Sequence, residues 1–241
     1  MTSSDSKGTG RSAILRGAPL TLVPDAHVAP AVWPLFGLGL RTKRLELTPV
    51  TDADIDELVS VAQRGVHDPD AQPFANLWTD RQGSDFEYRF AQYFWAQRAR
   101  WSVASWVLPF AVRYRGRLIG VQQIQADGFP VLRTVSTASW LGRPFQGAGI
   151  GTEMRAAVLS FGFEALGAEA AISGAYAYNL GSIRVSEKLG YTRNGIRRDD
   201  VRGTAVEAVL FRLTRGAWLD DPPLVPEVWG LQPCLELFGL R

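Results

Sequence analysis

Apolar side chains recur along this chain at two periods, and each change of period marks a new element. Residues 45–50 (Leu-Glu-Leu-Thr-Pro-Val) alternate as a strand, and Thr51-Asp52 then offers capping oxygens to a helix with Ile55, Leu58, Val59 and Ala62 on one side. Residues 65–80, interrupted by Pro69 and Pro73, read as a loop; Phe86, Phe90, Tyr93 and Phe94 follow as an aromatic stripe at helical spacing, the mark of a core-facing helix. Residues 106–114 and 117–125 are strand-like runs on either side of Arg115-Gly116, a hairpin signal. Residues 134–141 form a further strand, after which Ile150, Met154, Ala157, Val158, Phe161 and Ala165 space out a helix that ends near Gly167. A strand over 170–176, a helix over 181–189 and two strands over 191–198 and 204–213 complete the pattern. This order, strands first, then βαβα, then two strands, predicts an α/β fold with a mixed, twisted sheet and helices on both faces.

The flanks read differently. Residues 1–23, Ser/Gly/Thr-rich at first, are expected to be a disordered tail, and 24–40, with Pro24, Pro30 and Pro34, an extended arm on the domain. The domain itself spans 41–219, with 220–241 as a C-terminal extension. Trp33, Phe36, Trp229 and Phe238 in these arms are expected either to cover the core or to form a homodimer contact. A chain of 241 residues, 46% hydrophobic, buries the core of one full-sized α/β domain. Its formal net charge of +2 gives little reason to expect nucleic acid as a partner. The single cysteine, Cys234, excludes an internal disulfide and CxxC metal sites; it is expected to lie outside the core. No apolar run reaches the ~20 residues that span a bilayer, and the polar N-terminus lacks a basic region followed by an apolar one, so no membrane partner and a cytoplasmic location are expected.

Candidate chemistry concentrates in residues 143–152, where Gly147, Gly149 and Gly151 alternate between a predicted strand and a predicted helix. Glycine lets the backbone approach a bound group, and the first helical N–H groups lack internal partners and carry the positive end of the helix dipole, so the segment is an anion cradle suited to a phosphate-bearing cofactor. A Walker loop would place a lysine before Thr152, and a dinucleotide fingerprint would read Gly-x-Gly-x-x-Gly early in a βαβ unit; neither pattern is met.

With Gln146, Gly149 and Gly151 the loop resembles the Gln/Arg-x-x-Gly-x-Gly/Ala signature of the GCN5-related N-acetyltransferase (GNAT) superfamily. Residues 179–191, Asn179 to Gly190-Tyr191, resemble that family's downstream segment, and Ser182 to Tyr191 is similar to its RimJ/RimL branch. The resemblance implies a sheet of about seven strands in which the fourth and fifth splay apart. The pantetheine of acetyl-CoA or another acyl-CoA lies in that wedge, against Trp140 and Leu141, while the amides of Gln146, Gly147, Ala148, Gly149, Ile150, Gly151 and Thr152 hold the diphosphate. It also implies that Asn179 and Ser182 contact the cofactor, and that the acceptor is an amine on a protein N-terminus, a lysine or a small molecule. Residues 127–133 and 139–142 look like an actinobacterial subset in which a relative uses succinyl-CoA, so the donor is acetyl by precedence and succinyl as the alternative.

Catalytic assignments follow the same resemblance. Ser186 stands where many family members carry a tyrosine that protonates the leaving thiolate, and a serine there is similar to the RimL type. Direct attack needs a neutral amine and hence a proton acceptor. Period-two alternation puts Glu207 on the face of Val209, Phe211 and Leu213, where desolvation would raise its pKa; pairing with Arg212 or Arg202 is the alternative. His67 and Asp68 are rival groups on the acceptor side. Arg143 and Arg155 flank the loop as candidate phosphate contacts, whereas Arg193, Arg197, Arg198 and Arg202 are either solvated charges or pocket residues favouring an acidic acceptor. Reaction in a ternary complex requires no metal and no covalent intermediate. A non-catalytic acyl-CoA sensor and an antibiotic-acylating resistance enzyme are the competing functions.

Overall fold

The computed structural model describes residues 20–23, 30–80, 83 and 85–240. Among the described residues ten strands form one mixed sheet: β1 (Thr21–Leu22), β2 (Gly39–Arg41), β3 (Leu45–Pro49), β4 (Ser105–Tyr114), β5 (Arg117–Asp127), β6 (Thr134–Leu141), β7 (Ala170–Tyr176), β8 (Thr192–Val201), β9 (Thr204–Thr214) and β10 (Glu227–Trp229). Their spatial order is β1-β10-β2-β3-β4-β5-β6-β7-β9-β8, with β1–β10 and β6–β7 parallel and the other neighbours antiparallel. The helices are α1 (Asp52–Gln63), α2 (Phe86–Ala99), α3 (Phe129–Leu132), α4 (Ile150–Ser160), α5 (Leu180–Lys188) and α6 (Arg215–Asp220).

Local chemistry explains the main boundaries. Thr51 and Asp54 cap α1 reciprocally, the Asp54 carboxylate accepting from the Thr51 N–H at 2.8 Å. Arg115 (φ 52°) and Gly116 (φ 77°) turn β4 into β5, the positive-φ pair that a two-residue hairpin requires. α4 runs on into a π-helical turn over Phe161–Ala165 before Gly167. On one face α1 and α2 bury Leu58, Phe90 and Phe94 against Ala111 and Val121; on the other α4 buries Met154, Ala157 and Val158 in a larger cluster with Phe110, Ile124 and Phe211.

Two features depart from the sequence reading. Strands β3 to β9 are the seven expected, but β2, β10 and β1 extend the sheet at one edge. Thr21 and Leu22 pair with Glu227 and Val228, so part of the expected tail is a strand; residues 1–19 and 24–29 lie outside the described residues. The C-terminal extension is likewise part of the core: Val228, Cys234 and Phe238 are fully buried, and Phe238 packs edge-on against Trp101, Trp106 and Phe161. Short strands flanked by proline carry too weak an alternation to be read from sequence. Trp33 lies edge-on to Trp101 and Trp229 is buried, so the aromatic side chains that motivated a dimer contact pack within the chain.

Candidate active site

The parallel pair β6–β7 is joined at one end only. Thr134, Val135 and Ser136 pair with Ala170, Ala171 and Ile172, and beyond them the strands part. β6 remains paired with β5 out to Leu141, and β7 with β9 out to Tyr176, so each strand has one satisfied edge and one edge without a strand partner. These edges are the diverging fourth and fifth core strands expected from sequence, counted from β3. An extended chain can add to such an edge by backbone hydrogen bonds. Small residues, Ala138, Ser139, Ser173 and Gly174, line the gap and keep it open.

The gap belongs to a cavity of about 1170 Å³ that crosses the sheet, walled by Phe86 and Phe90 of α2 on one side and by Met154 and Arg155 of α4 on the other. At its mouth lies the glycine loop. Gly147 (φ 75°) and Gly149 (φ 76°) both have left-handed backbones, and Gly149 is the N-cap of α4. Gly149 O accepts the first helical bond from Glu153, so the N–H groups of Ile150, Gly151 and Thr152 have no intrahelical acceptor. Arg44 fixes the loop's orientation: its Nη1 donates to the Ala148 carbonyl at 3.1 Å while its Nε binds Glu153 at 2.5 Å. Because a trans peptide points its N–H opposite to its C=O, the Gly149 amide is directed away from Arg44. Arg44 is a positioning residue that no local motif revealed, since it lies 104 positions before its partner.

The other predicted residues divide clearly. Gln146 lines the cavity, but its Nε2 donates to the carbonyls of Val66 (2.7 Å) and Leu141 (2.8 Å), bracing the loop against residues 65–66. Asn179 Oδ1 caps α5 by accepting from the Ser182 N–H at 3.1 Å; Asn179 and Ser182 both line the cavity. Trp140 is paired through its backbone with Val121 of β5, and its ring packs with Trp78 and Phe90, so on the open edge of β6 it is the alternate residues Thr137, Ser139 and Leu141 whose backbone groups are free of β5. Leu141 is buried beside Gly151.

His67 and Asp68 also lie on the wall. His67 Nδ1 is 2.7 Å from the Asp68 carbonyl, which can only accept, so Nδ1 carries the proton and Nε2 faces Thr79 Oγ1 at 2.7 Å. Thr79 in turn accepts from Gln72 Nε2, which also reaches Asp80. Asp80 is held by Arg202 in a bidentate pair at 2.6 and 2.7 Å, which fastens this loop to the β8–β9 turn.

The hydrogen bond from Arg202 holds the Asp80 carboxyl below the usual range, against an opposing effect of burial. A carboxyl with a depressed folded-state pKa contributes while pH stays above its unfolded value, and that contribution is lost as pH falls through the folded value. Asp80→Asn is expected to raise the acceptor KM about twofold to fivefold while leaving the affinity for desulfo-CoA unchanged, as read by steady-state kinetics and calorimetry.

Three assignments are corrected. Glu207 is exposed and off the cavity wall, one residue beyond the last β7–β9 pair, Tyr176 with Ala208. Ser186 has the depth but not the access: it is fully buried, accepts from Arg155 Nη1 at 3.1 Å and donates to the Ser182 carbonyl at 3.1 Å. Arg155 is no surface phosphate contact; burial lowers its pKa, and it touches the cavity from beneath. Arg193, Arg197 and Arg202 pair with Glu187, Asp199 and Asp80 on the exterior, and Arg198 is exposed. None of these four lines the cavity.

A family model for the acetyltransferase (GNAT) domain matches residues 44–192, from β3 to the start of β8, including the wedge and the glycine loop. The chain belongs to the GNAT acetyltransferase family. It is thus an acyl-CoA-dependent N-acyltransferase by family, and solved GNAT structures share its fold. Mycobacterium smegmatis RimJ, solved with a CoA disulfide, superposes with a TM-score of 0.61 at 21% identity, over 83% of this chain and 99% of that one. RimL, a ribosomal-protein alpha-N-acetyltransferase solved with coenzyme A, gives 0.60 at 14% identity, over 73% and 97%. A GCN5-related N-acetyltransferase from Brucella melitensis gives 0.59 at 19%, over 75% and 80%. Among the described residues this GNAT chain has no helix long and apolar enough to cross a membrane and no group of three or more His, Cys, Asp or Glu placed to hold a metal ion.

Proposed function

We propose that this chain is a RimJ/RimL-like enzyme that moves an acyl group from coenzyme A to a primary amine by direct attack in a ternary complex. The observation that carries the reading is the cavity crossing the sheet through the β6–β7 gap, which joins the glycine loop on one side to the His67 loop and the α2 aromatic wall on the other. Donor and acceptor then enter from opposite faces and meet where the strands part. The amides of 147–152 hold the diphosphate, that of Gln146 already donating to the Arg143 carbonyl at 3.2 Å; the pantetheine adds to the β6 edge, and Asn179 and Ser182 contact it from the start of α5.

On the acceptor side, Phe74, Trp78, Phe86 and Phe90 make an apolar wall beside His67 and Asp68. That wall suits an amine borne next to an apolar group, as at a protein N-terminus, more than a highly polar small molecule. His67 is the proton acceptor in this reading, taking the proton at Nε2 through the Thr79 hydroxyl that bonds it, and Asp68 orients the ammonium before it loses its proton. Acetyl is the first donor and succinyl the alternative; the compartment is the cytoplasm. Coenzyme A release, measured with acetyl-CoA and succinyl-CoA against N-terminal peptides and small amines, tests the reading. Turnover with a peptide is expected; tight CoA binding without turnover on any acceptor overturns it in favour of a sensor, and resistance of an expression host to an amine antibiotic identifies a small-molecule acceptor.

A further inference from the structure

Arg155 of α4 carries a buried guanidinium. It is 6% exposed, lines the cavity, and has no carboxylate partner among the described residues. Its Nε has no hydrogen-bond partner among the described residues, and its Nη1 meets only the neutral Ser186 hydroxyl. An isolated buried charge is costly unless an opposite charge joins it, and arginine does not shed its proton to escape. The titratable group that interacts with it is the Tyr191 phenol, itself pushed up to about 12 by burial and hence neutral. The missing partner must be an anion that enters with a ligand.

Its place in the wedge identifies that anion. Thr137 is the first β6 residue beyond the paired end, at the apex of the gap, and it lines the same cavity as Arg155. An arm anchored by its diphosphate at the loop after Leu141 and paired back along β6 covers residues 141 to 137, roughly 13–17 Å of strand, and ends at this apex. The end of the arm is the sulfur.

We propose that Arg155, oriented by Ser186, is the catalytic cation that stabilises the departing coenzyme A thiolate. This rests on the acyltransferase reading above. The amine nitrogen bonds to the thioester carbonyl carbon, its proton passes to a base or water, and the tetrahedral intermediate collapses with cleavage of the C–S bond. Sulfur keeps the electron pair, is held as thiolate against the guanidinium, and takes its proton from solvent on release. Ser186 is then a positioning residue, which accounts for a hydroxyl at the family's acid position that does not reach the cavity.

The thiolate absorbance of bound coenzyme A, followed against pH, tests this in the unmodified enzyme. The bound thiol is expected to ionise about 1–3 pH units below the free thiol. In Arg155→Met the shift is expected to vanish and kcat to fall about 100-fold, with desulfo-CoA affinity retained; Arg155→Lys keeps part of both, and Ser186→Ala a reduced shift. An unshifted thiol in the wild-type complex overturns the proposal even if no variant folds. Loss of desulfo-CoA binding in Arg155→Met alone overturns it too, by assigning the guanidinium to the diphosphate. Failure of the wild type to bind desulfo-CoA would instead sink the acyl-CoA reading itself.

Discussion

Gly149→Val is expected to weaken binding of desulfo-CoA by at least about 100-fold while leaving the helical and sheet content unchanged. Gly149 has φ 76° at the N-cap of α4, a conformation that costs a non-glycine residue about 1–2 kcal/mol and a β-branched one more. Nothing crowds the position: a Cβ would meet only the Arg44 guanidinium at 3.6 Å, so the penalty falls on the backbone rather than on packing. To relieve it the chain must rotate the peptide that Arg44 holds through the Ala148 carbonyl, and the Gly149 amide rotates with it. Strain alone accounts for about 5-fold to 30-fold. Loss of two or more amide contacts to an anion, each charge-assisted, supplies the remainder. Calorimetry with desulfo-CoA checks the affinity and circular dichroism the fold; an unchanged affinity would mean that the loop is only a connection.

Phe238→Ala should destabilise the protein by about 3–5 kcal/mol in chemical denaturation, as large as any core truncation in the domain. The residue is fully buried between Trp101, Trp106 and Phe161, the last from the turn that continues α4, so the C-terminal segment locks β4, α4 and the edge strands together. Gly230 reinforces the point: its φ is 67°, and a Cβ there would lie 2.1 Å from the Gly37 carbonyl oxygen, so the turn after β10 tolerates no side chain. A loss below about 1 kcal/mol would show that residues 220–241 are an appendage to the family domain rather than part of its core.

Much of this was legible beforehand, for a physical reason. β6 and β7 were delimited to the residue because a strand-like run ends in each case at a glycine-containing turn or a polar loop, and the start of α1 was legible from Thr51, although its capping partner is Asp54 rather than Asp52. The glycine loop was legible because its backbone conformations admit little else. What failed was information that no local window contains. Alternation placed Glu207 with Phe211 and Leu213, yet the burial of that face fades at Val209 and does not extend to Glu207. The family resemblance placed Ser186 at the acid position, yet only the fold shows that its hydroxyl is taken by Arg155 of α4 and that Arg155, not Ser186, lines the cavity. Arg44 and the C-terminal strand were missed alike, since their partners are more than a hundred residues away.

The most direct test of the central claim is the structure of the complex with coenzyme A. The diphosphate is expected against the amides of 147–152 and the pantetheine hydrogen-bonded to the β6 edge over residues 137–141, with β6 and β7 still parted. Coenzyme A bound elsewhere, or β6 and β7 paired along their full length in the complex, would contradict it.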